Sequence, residues 1–289
     1  MESPHLVKHE FFEHFKNRFE KPNKSRILLE TDFVKRISLE QNDDLKRKVS
    51  NEEIKMAVWD CGIDKAPGPD DFTFGFYRRY WDIIGNDVVD AVKWFFLHGE
   101  IPKGGNSSFI TLIHKVPNAN MVKDFRHISL IGSLYKVIAK VLANRLVTVL
   151  DGPFILNEIV HWCKNKKKQS MIFKVDFEKA YDSVRWDFVD DILRRFGFGE
   201  KWCKWIQSCL YSSRGSVLVN GSPTKEFQFH KGLKQGDPLS PFLFILVMES
   251  LHVSFQRVVD AGLFNGIKLD SSLHISHLFY DDDAIFMGQ

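Results

Sequence analysis

Three consecutive aspartates, Asp281, Asp282 and Asp283, stand between two short apolar segments near the end of the sequence. Side chains alternate faces along a strand, and a tight turn between two strands breaks that alternation, so neighbouring carboxylates can share one exposed edge. Bundled like charges raise one another's pKa unless a cation neutralises them. Hard oxygen donors of this kind suit Mg²⁺, which takes one or two carboxylates together with substrate phosphates. Alone, the run reads equally well as a solvated hairpin turn, because Asp is common in turns.

A second acidic segment, Lys174-Val175-Asp176-Phe177-Glu178-Lys179-Ala180-Tyr181-Asp182, sets Asp176 at the end of an apolar run. A strand-end carboxylate paired across a sheet with a carboxylate hairpin is a layout for two-metal phosphoryl transfer. The competing role for Asp176 is to cap the helix that follows, and the residues alone leave both open. A third element, Gly-Leu-Lys-Gln-Gly-Asp-Pro-Leu-Ser-Pro at 232–241, is a glycine-bounded loop opening a long apolar segment. Such a loop lets a nucleotide or template approach the backbone closely. It also fits a plain helix start with proline in the first turn.

The elements that must position these residues are legible from periodicity. Phe11, Phe12, Phe15 and Phe19 fall near helical spacing, so 8–19 is expected to be an amphipathic helix. Ser50 with Glu53 reads as a capping box ahead of Ile54, Ala57 and Val58. The two prolines and glycine within 65–71 mark a loop, and 74–98 is expected to be mostly helical. Strands are expected at 109–113 and 171–176, and helices from 133 and over 187–196, 202–211 and 241–259. Asn220-Gly221 between 217–219 and 227–229 reads as a hairpin turn. Short apolar strands at 275–279 and 284–287 flank the aspartates. Helices and antiparallel strands mix without a βαβ rhythm, which gives an α+β fold class. The natural linker precedes Ser50, so 1–50 is read as an N-terminal helical extension and 51–289 as the main domain.

The 289 residues are 44% hydrophobic and 27% charged, ordinary globular composition that excludes disorder, collagen and a disulfide scaffold. The net charge of +3 permits a polyanionic partner without demanding one. Four cysteines without paired C-x-x-C spacing fit a reducing compartment and argue against a structural zinc site. No membrane span and no signal peptide are expected, which points to an intracellular protein of the cytoplasm or nucleus. Lys164, Lys166, Lys167 and Lys168 could track a phosphate backbone but read better as a solvated loop. Trp202 and Trp205 could stack bases but read better as core residues.

Taken together, the Asp176 segment with its Ala-Tyr-Asp-Ser-Val, the 232–241 loop and the aspartate hairpin, in that order, resemble the palm of a reverse transcriptase. The similarity is to plant LINE-type (non-LTR) retrotransposon enzymes. Lys65-Ala66-Pro67-Gly68-Pro69-Asp70 and Phe125-Arg126-His127-Ile128-Ser129-Leu130 resemble that family's finger motifs. The resemblance implies right-hand fingers and palm with an antiparallel palm sheet. It implies that Asp176, Asp282 and Asp283 are the catalytic metal ligands, holding two Mg²⁺ ions for which Mn²⁺ can substitute, with the Phe177 carbonyl assisting. Lys115 and Arg126 would clamp the triphosphate, Tyr181 would be the steric gate against a ribose 2′-OH, and Gln235 and Gly236 would pack on nucleotide and template. The implied partners are an RNA template, a DNA primer and dNTPs.

Departures accompany the likeness. Asp281 stands where the family usually has alanine, Asp71 where glycine usually follows Pro-Gly-Pro-Asp, and His127 where proline follows the finger arginine. The family carries a further stretch between Leu150 and Asp151, so an internal deletion is expected there. An absent thumb and primer grip are expected as well, because six residues follow Asp283. The first functional reading is an RNA-directed DNA polymerase domain performing two-metal nucleotidyl transfer from dNTP to a primer 3′-OH. The alternative is a catalytically inert retrotransposon-derived fragment that at most binds nucleic acid, which the departures favour. A metal-dependent phosphohydrolase would need only the carboxylates and leaves the 232–241 loop unexplained.

Overall fold

A computed structural model describes residues 3–288, apart from 24, 27–32, 34–35, 120, 151–170, 178, 269–273 and 281–282. The basic run at 164–168, the junction residue Asp151, and Asp281 and Asp282 therefore lie outside the described residues. The chain opens with α1 (Pro4–Arg18), α2 (Leu39–Leu45), α3 (Asn51–Asp60), α4 (Phe74–Arg79) and α5 (Trp81–His98). The expected single helix over 74–98 is two, because Tyr80 leaves helical geometry at φ −108, ψ 19. Gly99, at φ 66, ends α5 in the left-handed conformation that glycine adopts without penalty.

Ser50 caps α3 by accepting from the Glu53 amide at 3.1 Å. The box is not completed: the Glu53 carboxylate turns away to Arg145, taking its Nε at 2.8 Å and Nη2 at 2.9 Å. That bidentate, charge-assisted pair ties α3 to α6 (Ser133–Val147).

The first sheet follows the order β2 (Phe125–Ile131), β1 (Ser107–His114), β4 (Arg214–Val219), β5 (Ser222–Pro223), with β6 (Phe227–Gln228) also on β4. β1 and β2 are antiparallel, but β1 and β4 run parallel, with Ile110 opposite Val217. This sheet is therefore mixed, unlike the purely antiparallel pairing expected from the sequence. β2 also has no counterpart among the expected strands. Its inward residues include His127 and Ser129, both buried, so apolar alternation is absent there. The Asn220-Gly221 turn lies where expected, but the strand it returns against 218–219 is β5 and not 227–229; β6 pairs lower down, Arg214 to Gln228.

The second sheet, β3 (Met171–Asp176), β10 (Asp283–Gly288) and β9 (His277–Tyr280), is antiparallel throughout. Between β3 and β4 in sequence lie α7 (Ala180–Ser183), α8 (Trp186–Arg195) and α9 (Glu200–Tyr211), α10 (Ser240–Asp260) follows β6, and the short pair β7 (Ile267–Lys268) and β8 (His274–Ile275) precedes β9. α10 has 21 residues and an 18-residue stretch of mean hydropathy 1.5, the length and composition of a membrane span, which the sequence reading did not anticipate. It packs on α8, α6 and β9, burying Leu243, Phe244, Leu246 and Met248.

One continuous core joins the helices to the first sheet, while Ala284, Ile285 and Met287 of the second sheet are buried outside it. Trp202 and Trp205 are 0% and 2% exposed and belong to it, as their spacing suggested. Phe15 and Phe19 of the N-terminal segment belong to it too, and Phe19 stacks on Phe229 at 4.1 Å. The segment 1–50 therefore shares its packing with the rest of the chain.

Asp71 gives a physical meaning to one departure. Its φ is 58, the left-handed region where L side chains are disfavoured and glycine is not. Asp71→Gly is therefore expected to raise stability by up to about 1 kcal/mol. Urea unfolding of the two proteins checks this, and a lowered midpoint for the glycine variant would contradict it.

Candidate active site

The β3–β10 register sets Asp283 directly opposite Asp176, followed by Ala284 with Val175 and Ile285 with Lys174. On its other side Asp283 pairs with Tyr280 of β9. The strand-end aspartate and the hairpin aspartate therefore occupy adjoining positions at one end of the antiparallel sheet. Ala284 and Met287 lie on opposite faces of β10 and both are buried, so the strand is covered on both sides. Among the described residues no group of three or more His, Cys, Asp or Glu side chains forms a metal-sized cluster. The donor type at the register pair, hard carboxylate oxygen on adjacent strands, fits a divalent cation such as Mg²⁺.

A cavity of about 550 Å³ gathers Lys115, Arg126, Tyr181, Gln235 and Gly236, five of the residues singled out in the sequence. Lys115 follows β1 and donates from Nζ to the Lys123 carbonyl at 3.2 Å. Arg126 projects from β2 as an exposed residue. Tyr181 stacks its ring on Phe244 of α10, centroids 4.7 Å apart and planes at 19°. Phe177 does not line the cavity. It is half-buried against the core, and its carbonyl accepts from the Ala180 amide at 3.1 Å.

The 232–241 loop forms one wall because its backbone is fastened on two sides. The Leu233 amide donates to the Tyr181 carbonyl at 2.8 Å, and the Ser129 amide of β2 donates to the Gln235 carbonyl at 2.7 Å. Gly236 sits at φ 102, and a Cβ there would lie 2.9 Å from the Ser129 oxygen, so no other residue fits. Beneath the loop, the Lys234 Nζ donates to both the carbonyl and the Oδ1 of Asn106, each at 2.8 Å. The Tyr135 hydroxyl donates to Asp237 Oδ2 at 2.7 Å. Burial pushes the Lys234 amine down to about 7 and the Asp237 carboxyl upward, so the interior favours the neutral form of each.

Sequence reasoning did not select Arg18, Lys179, Asp182, Lys234 or Asp237, all of which line the cavity. Lys234 and Asp237 lay within the loop motif, where their neighbours drew the attention. Arg18 carried no signal, being one basic residue at the end of an amphipathic helix. Leaving aside Lys234 and Asp237, the basic members of the lining, Arg18, Lys115, Arg126 and Lys179, outnumber acidic Asp182, which suits a polyanionic ligand.

Two features thus stand out in the fold: aspartates at adjoining positions of an antiparallel sheet, and a basic, glycine-walled cavity. Residues 102–289 match the family model described as reverse transcriptase (RNA-dependent DNA polymerase). The chain therefore belongs to the reverse transcriptase family. Its relatives come from non-LTR retrotransposons. It is 24% identical to the Transposon TX1 uncharacterized 149 kDa protein of Xenopus laevis, over 88% of this chain and 20% of that protein. It is 27% identical to the Retrovirus-related Pol polyprotein from type-1 retrotransposable element R2 of Popillia japonica, over 75% of this chain and 32% of that one. A shorter likeness, 42% identity over 23% of this chain and 56% of the relative, is to an uncharacterized mitochondrial protein, AtMg01250, of Arabidopsis thaliana. The chain thus spans a fifth to a third of the length of the first two relatives.

Proposed function

We propose that this chain forms the fingers and palm of a LINE-type reverse transcriptase of plant lineage, adding deoxynucleotides to a primer 3′-OH on an RNA template. The observation that carries the reading is the cavity itself: residues from two finger strands, the Tyr181 turn and the glycine loop meet there, although they are far apart in sequence. The match to plant AtMg01250 supports the lineage.

Asp176 and Asp283, with Asp282, would hold two divalent ions, Mg²⁺ or Mn²⁺. Ions bound there would activate the primer hydroxyl and neutralise charge on the leaving pyrophosphate. Lys115 and Arg126 would neutralise the incoming triphosphate, and the planar Arg126 fork would engage two phosphate oxygens at once. The backbone at Gln235 and Gly236, bare of a Cβ at 236, would lie against the nucleotide and the template strand. Tyr181, braced by Phe244, would fill the space a 2′-OH needs.

The test is extension of a DNA primer on an RNA template. Extension should require dNTPs and a divalent ion, and chelation should stop it. Nucleic-acid binding without extension under any divalent ion would leave only the inert-fragment reading. Release of phosphate from simple esters would favour a phosphohydrolase. Tyr181→Ala is expected to relax discrimination against ribonucleotides by tenfold or more, on the scale of about 1.4 kcal/mol. An unchanged dNTP preference in that variant would remove Tyr181 from this role.

A further inference from the structure

Asp182 directly follows the proposed gate residue, and it is 3% exposed. A carboxylate so far from water is costly unless it is paired and hydrogen-bonded. Its two oxygens meet groups from two different elements. Arg18 of α1 donates through Nη1 to Oδ2 at 3.2 Å. His127 of β2 brings Nε2 to 3.1 Å from Oδ1. The histidine contact lies outside hydrogen-bond geometry, so Arg18 is the stronger hold. Arg18 is itself fixed, with Nη2 2.9 Å from His14 Nε2 and its guanidinium 5.2 Å from the Phe15 ring centre.

The turn that carries Asp182 is constrained on every side. Lys179 opens it at φ 60, a conformation rarely adopted outside glycine. The Leu233 amide is bonded to the Tyr181 carbonyl, and the Gly232 amide to the Val184 carbonyl at 2.7 Å. A Cβ on Gly232 would lie 3.0 Å from the Asp182 carbonyl oxygen, so loop and turn touch backbone to backbone. Any displacement of Asp182 therefore moves Tyr181 and the glycine loop together.

We infer that Arg18, acting through Asp182, is a positioning residue for Tyr181, so that the choice between deoxyribose and ribose is set partly from the N-terminal helix. The inference rests on the reading of Tyr181 as the residue that meets the sugar. Without the guanidinium, the buried carboxylate keeps only an imidazole beside it. The turn then relaxes toward the water of the cavity and draws the Tyr181 ring off Phe244, which opens room at the 2′ position.

The experiment measures binding rather than chemistry. The full chain is bound to an RNA template carrying a dideoxy-terminated DNA primer in Mg²⁺, and the next matched nucleotide is titrated as dATP or ATP. The readout is the ratio of the two dissociation constants for wild type, Tyr181→Ala, Arg18→Met and Arg18→Lys. Methionine keeps an unbranched stem over Phe15 and removes the charge. The ratio should collapse in Tyr181→Ala, fall about tenfold in Arg18→Met, and return most of the way in Arg18→Lys. If Arg18→Met does not fold, Asp182→Asn removes the ionic hold without emptying the space and should lower the ratio in the same way. A wild-type ratio in Arg18→Met or Asp182→Asn, alongside a collapsed ratio in Tyr181→Ala, overturns the role of Arg18. Equal weakening of dATP and ATP overturns it as well, because that is what a merely structural contact would produce. An unchanged ratio in Tyr181→Ala overturns the gate reading itself, and the role of Arg18 with it.

Discussion

Asp176→Asn should abolish divalent-dependent primer extension, by about a thousandfold or more, while leaving the fold intact. Asparagine keeps the shape of the side chain but removes the charge that would hold a cation opposite Asp283. The several kcal/mol that metal-held charge contributes to a phosphoryl-transfer transition state would go with it. Stability gives a second, independent readout. Like charges placed directly opposite on paired strands destabilise a sheet by roughly 0.2–1 kcal/mol. In chelator the variant should therefore be at least as stable as wild type. Added Mg²⁺ should raise the melting temperature of wild type by mass action and that of the variant much less. An Asp176→Asn protein that still extends primers, or that gains as much from Mg²⁺ as wild type, would remove Asp176 from the metal site.

The second large effect concerns Lys234. It is 4% exposed, and burial draws its amine down to about 7 from 10.5 in the open chain. Around it lie Asp237, Cys209, Glu226 and Tyr135, with Asn106 supplying two acceptors for the two N–H groups of a neutral amine. Between pH 7 and 10.5 the unfolded chain holds a proton on this lysine that the folded chain has released. The lysine's contribution to stability therefore rises with pH across that window, by up to about 1.4 kcal/mol per pH unit for one proton. It is lost again as pH falls toward 7. Asp237, raised by burial, runs the other way, but its window begins near the ordinary carboxylate value of 3.8. Above about pH 8.5 the buried thiols Cys61, Cys203 and Cys209, which burial raises from 9.0, pull stability down, so urea unfolding at pH 7, 7.5 and 8 should show a rising free energy in wild type. Lys234→Met should lack that rise. Parallel curves for the two proteins would show that Lys234 keeps its charge in the fold.

The local features were legible in the sequence because they depend on neighbours. Apolar spacing placed β3 over Met171–Asp176 and α9 within a residue or two of its bounds. The glycines at 232 and 236 marked a loop, and both have positive φ against another segment's backbone. The family's glycine after Asp70 likewise corresponds to a left-handed position, now held by Asp71. The membership of the cavity followed in part, since Lys115, Arg126, Tyr181, Gln235 and Gly236 were chosen by motif and meet in space.

What the tertiary structure alone decided are the pairings that join distant parts of the chain. β4 lies parallel to β1, β2 is a strand despite its buried histidine and serine, and the register couples Asp176 to Asp283. Arg18 finds Asp182 across 164 positions, and Lys234 finds Asn106 across 128. No local pattern encodes such partners. An arginine at a helix end looks the same whether it meets water or a buried carboxylate, and a lysine in a loop reads as solvated until the fold closes over it. Burial is a property of the assembled core, and it is burial that turns these charged residues from surface ornaments into fixed points of the site.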